Sequence, residues 1–62
     1  MFSNDEYIKA LGKAPRGIGM WAFSTHRMPE PDEIKWFYGS LTEAKRQAKA
    51  AFEKGATIYV LP

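Results

Sequence analysis

The sequence predicts a single α+β domain with the element order α-β-β-α-β, and three observations carry that expectation. The aromatic run Trp36-Phe37-Tyr38 has strand character and is broken by Gly39-Ser40. Ser40-Leu41-Thr42-Glu43 has the spacing of a capping box and opens an alanine-rich helix that Gly55 is expected to close. Thr57-Ile58-Tyr59-Val60-Leu61 then supplies a second β-branched and aromatic run, so strand, helix and strand succeed one another between Trp36 and Val60.

The elements follow in order along the chain. Ser3-Asn4-Asp5-Glu6 offers N-cap residues and first-turn acids, and Tyr7, Ile8 and Leu11 recur at helical spacing, which predicts a short helix from about Asn4 to Leu11 with Gly12 as its stop. Lys13 to Gly17, with Pro15 and Gly17, reads as a loop. Ile18 to Thr25 is the first strand, its alternation setting Trp21 and Phe23 on one face and Met20 and Ala22 on the other. His26 to Glu33 holds two prolines and three acids and reads as an exposed connection. Ile34 to Tyr38 is the second strand, with Ile34, Trp36 and Tyr38 on one face and Lys35 and Phe37 on the other. In the main helix Leu41, Ala44, Ala48, Ala51 and Phe52 share a stripe, and a mostly alanine stripe lets the helix backbone approach a sheet closely. Such a helix would span roughly 20 Å.

Joining the second strand to the third through a helix makes them parallel, and a right-handed crossover leaves room for another strand between them. The expected sheet therefore has three strands in a mixed, largely antiparallel arrangement of order 2-1-3, with the long helix on one face and the short N-terminal helix beside it. In that order the second strand is an edge, carrying Trp36, Phe37 and Tyr38 with unpaired backbone groups.

Composition limits what so small an object does. A chain of 62 residues is one domain that buries about 60% of the surface its unfolded form exposes. Without cysteine there are no disulfides, and with one histidine there is no structural zinc site of Cys/His type. Stability must come from the core, from an oligomer or from a partner. Hydrophobic residues at 45%, charged residues at 26% and aromatics at 15% place the chain among globular domains with a ring-rich core. The net charge of +2 is too small to demand nucleic acid. No apolar run reaches membrane-spanning length, and Asp5 and Glu6 stand where a signal peptide would be basic and then apolar. The expected location is the cytoplasm, with Met1 as a native start; chains this short without disulfides are frequent among accessory products of phages and mobile elements.

Four constellations bear on chemistry. The aromatic strand residues Trp21, Phe23, Trp36, Phe37, Tyr38 and Tyr59 serve either as core or, where one face stays open, as an interface, since aromatics concentrate at hot spots. Lys45, Arg46 and Lys49 near the start of the main helix form a basic face that is either simply solvated or a phosphate contact. The pentad Lys45-Arg46-Gln47-Ala48-Lys49 resembles the basic stretch opening the last helix of double-stranded-RNA-binding domains, and that resemblance implies RNA contacts by Lys45, Arg46 and Lys49. It covers little more than one helix, and in that family three strands precede the helix and none follows. Arg16 beside Gly17-Ile18-Gly19 lacks the third glycine and the flanking elements of a dinucleotide fingerprint, so loop geometry explains it. His26 reads as a surface histidine that Asp32 or Glu33 could approach, and Glu30, Asp32 and Glu33 read as a solvated tip or a docking patch for a basic partner.

The functional expectation is a small non-enzymatic accessory or regulatory factor, without cofactor, metal or small-molecule substrate. It would bind a larger protein or a second copy of itself through the aromatic strand edge at Trp36, Phe37 and Tyr38. The alternative is a nucleic-acid-binding protein using Lys45, Arg46 and Lys49 with Arg16 and Arg27.

Overall fold

Alternation translates directly into the longest pairing of the molecule, although Gly39-Ser40, expected to break the second strand, lie within it as partners of Gly19 and Ile18. In the computed structural model, which describes all of Met1–Pro62, the elements are β1 (Phe2–Ser3), α1 (Asp5–Leu11), β2 (Ile18–Ser24), β3 (Lys35–Ser40), α2 (Leu41–Ala51) and β4 (Ile58–Val60), with a 3-10 turn at Pro31–Glu33. β2 and β3 pair antiparallel from Ile18↔Ser40 to Phe23↔Lys35. β4 joins the other side of β2, also antiparallel, through Phe23↔Val60 and Ser24↔Tyr59.

The α+β class stands, but the sheet has four strands in the order β1-β4-β2-β3, where three were expected. The extra strand is the N-terminal Phe2–Ser3, parallel to β4 and held in part by Ile58 N donating to the Met1 carbonyl at 2.8 Å. Two residues carry no readable periodicity, so only the pairing makes them a strand. β2 lies between β3 and β4, and β3 is an edge.

The helices begin where their caps lie. α1 starts after Asn4, whose side chain makes no capping bond, and ends at Gly12, which takes the left-handed φ of 73° and donates to the Ile8 carbonyl at 2.7 Å. Ser40 Oγ accepts from Glu43 N at 3.2 Å and opens α2. The end of α2 differs from expectation: the helix stops at Ala51, and Gly55 belongs to the turn beyond. Phe52 leaves the helix in an extended conformation, its ring packing against the core, so the 11-residue helix spans about 16 Å.

Ala44 and Ala48 on α2 are fully buried against Trp21, Phe23, Ile58 and Val60, with Leu41 and Phe52 partly buried at the margins. Ala51, expected on this stripe, is exposed because the helix ends there. Alanine methyls leave the inter-layer space to the rings of the sheet. Phe23 meets Phe2 edge-on at 6.0 Å and Phe37 at 6.2 Å, and Tyr7 of α1 reaches Trp21 at 5.9 Å. No helix is long and apolar enough to cross a membrane.

Candidate protein-binding face and edge

Residues paired across an antiparallel ladder share a face, so the register sorts the side chains of β2 and β3 into two sets. Trp21, Phe23, Lys35 and Phe37 lie on the face that α2 covers. Ile18, Met20, Ala22, Trp36 and Tyr38 lie on the other. Ala22 is buried, as is Ser24 two residues on along the same face; Ile18, Met20, Trp36 and Tyr38 are 76%, 61%, 58% and 68% exposed. Met20 stands opposite Tyr38, and Ala22 opposite Trp36, so the four open side chains form one continuous apolar surface. A shallow groove of about 360 Å³ adjoins it, bounded by Tyr7 and Leu11 of α1 and by Arg16.

The main chain of the edge follows from the same ladder. Leu61 N donates to the Ala22 carbonyl at 3.0 Å, so the hydrogen-bonding groups of Ala22 point toward β4. Ala22↔Trp36 is then a non-hydrogen-bonded pair, as is Met20↔Tyr38 two residues on. The N–H and C=O groups of Trp36 and Tyr38 therefore point away from β2, along the open edge. Gln47 of α2 donates its Nε2 to the Tyr38 carbonyl at 3.4 Å, a long contact that occupies one of these acceptors.

Trp36 and Tyr38 thus combine exposed rings with outward main-chain groups, whereas Phe37 does not belong with them. Its ring turns beneath α2 onto Phe23 and is half-buried, a core position in place of the expected binding one. Met20 and Ile18 are the members of the surface that the sequence reading did not select. Alternation already placed Met20 opposite the buried face of its strand, but only the register sets it beside Tyr38.

The five cations considered for nucleic acid are dispersed. Lys45, Arg46 and Lys49 remain on α2, with Lys45 Nζ 5.4 Å from the centre of the Phe2 ring. Arg16 lines the groove beside the apolar surface. Arg27 donates through Nε to the Tyr59 hydroxyl at 3.3 Å, lies 5.5 Å from that ring's centre and stands 4.0 Å from Glu6. The Tyr59 hydrogen bond raises the pKa of this guanidinium above its ordinary value.

His26 Nε2 lies 3.2 Å from Glu33 Oε2, both on the exposed connection and outside the groove. That connection is ordered by a small capping box, Glu33 Oε1 accepting from Glu30 N at 2.8 Å. Gly17, at φ 104°, turns the chain into β2 and accepts from Leu41 N at 3.2 Å, so the Gly17-Ile18-Gly19 stretch is the start of a strand. No protein-family model matches the chain, and no curated protein or solved structure matches it significantly.

Proposed function

We propose that the protein is a small non-enzymatic accessory factor, acting in the cytoplasm, that binds another protein chain through β3 and the apolar face beside it. The observation that carries this reading is the exposure of Trp36 and Tyr38 at a sheet edge whose main-chain groups at those same residues point outward. A strand added there would gain backbone hydrogen bonds, and the two rings with Met20 would discriminate among side chains. Aromatic anchors dominate many interfaces, so removing one is expected to weaken binding at least about tenfold. The test compares capture of a partner from source-cell extract, identified by mass spectrometry, on immobilised wild type and Trp36→Ala. Circular dichroism establishes that the variant is folded. Undiminished capture by folded Trp36→Ala overturns the proposal.

A second reading rests on Lys45, Arg46 and Lys49 sharing α2. It predicts DNA or RNA affinity that falls steeply with salt, and absence of binding at low salt removes it.

A further inference from the structure

We propose that the occupant of the open face is a second copy of this chain, two sheets packing β2 and β3 face to face about a twofold axis. The inference rests on the reading of that face as a protein-binding surface and names its partner.

Three observations converge. First, the monomer exposes more large apolar side chains than it buries. Trp21, Phe23, Ile58, Val60 and Leu61 are the large buried ones, against eight exposed, of which Ile18, Met20, Trp36 and Tyr38 adjoin on one face. Second, the surface complements itself. A twofold contact juxtaposes a patch with its own copy, and none of these four side chains carries a charge that would meet its like. Third, the area suffices. At side-chain areas usual for such residues the four expose on the order of 500 Å², so two copies would bury on the order of 1,000 Å², about what a specific interface requires.

The architecture also closes the face-to-face contact. α2 covers the opposite face of the sheet, so each copy has one open face to offer and the contact closes on itself. α1 brings only Tyr7 and Leu11 to the groove beside Ala22 and Leu61, leaving the β3 side uncovered. Sheets packed in this way stand about 10 Å apart, with inner side chains interdigitating, which suits alternating Met20, Trp36 and Tyr38. The edge groups of Trp36 and Tyr38 are not used by this contact.

Sedimentation equilibrium of the full chain from roughly 10 µM to roughly 1 mM covers the weak end of protein–protein affinities, suited to a contact at the lower limit of specific interface size. The expected weight-average mass rises from 7.1 kDa toward twice that value. Trp21 is already buried, so the tryptophan emission should shift blue with concentration as Trp36 leaves water. Met20→Lys and Ile18→Glu each place like charges in the contact and should weaken association at least about tenfold while keeping the wild-type circular dichroism. Both side chains are exposed, and either variant carries the test should the other fail to fold. A wild type that stays at 7.1 kDa throughout overturns the second copy as partner, while capture of a different protein remains open to the Trp36→Ala comparison. Association that both folded variants leave unchanged overturns the proposal too, because the contact then lies elsewhere.

Discussion

Within one strand, β2, residues of similar hydrophobicity meet opposite fates. Trp21 and Phe23 point beneath α2 and are 8% and 0% exposed, while Ile18 and Met20 on the other face are mostly in water. β3 repeats the division, with Phe37 against Phe23 and with Trp36 and Tyr38 outside. The difference between the faces is thus a difference in what lies across from them. A single helix of 11 residues, brought by its alanines close to the sheet, covers one side. The short helix α1 has no buried residue of its own, and Ile8 and Leu11 on it are exposed. An apolar residue there is available to a partner because the chain has nothing left to place over it.

Substitutions on the two faces should separate accordingly. The largest effect is expected for Phe23→Ala, which removes a fully buried ring touching Phe2 and Phe37. Urea denaturation should show a loss of about 3–5 kcal/mol, a large share of the stability of so small a domain. A loss below about 1 kcal/mol would mean that the α2 face is not the stabilising one. Ala48→Leu probes the same layer from the helix side. With Ala48 fully buried, the added methylenes have no space, and destabilisation of about 1–3 kcal/mol is expected from thermal melts. Smallest is the effect of Tyr38→Ser on the open face. Measured in dilute solution, where association is absent, stability should change by no more than about 0.5 kcal/mol. A larger loss there would show that the open ring supports the monomer.

Much of this arrangement is legible from local chemistry. Ser40 and Glu43 announce the start of α2 because a cap is a contact between near neighbours in sequence. Gly12 marks the end of α1 for the same reason, through its left-handed conformation. The period of two assigns Trp21 with Phe23 and Trp36 with Tyr38 to their respective faces without knowledge of the fold. Connection rules leave room for β2 between β3 and β4, the arrangement that puts β3 at an edge. What escaped was decided by distant partners. Phe2–Ser3 becomes a strand only because β4 arrives beside it. α2 ends at Ala51, where Phe52 turns extended and lays its ring against the margin of the core, ahead of the glycine that local propensity favours as a stop. Phe37 was expected in the binding edge with its neighbours, yet alternation sends its ring inward once α2 is known to lie on that side.

The candidate site shows the same boundary. Trp36 and Tyr38 were identifiable as aromatic residues on an edge, and their outward main-chain groups required the register between β2, β3 and Leu61. Met20 and Ile18 join them through cross-strand pairing, which no spacing within a single strand encodes. The sequence by itself determined the types of element, their order and the two alternating sets of side chains on each strand, because these depend on residues close along the chain. How far each set became core was decided by tertiary structure, when one helix packed on one face and the remaining chain covered the other only at Ala22 and Ser24, leaving Ile18, Met20, Trp36 and Tyr38 in water.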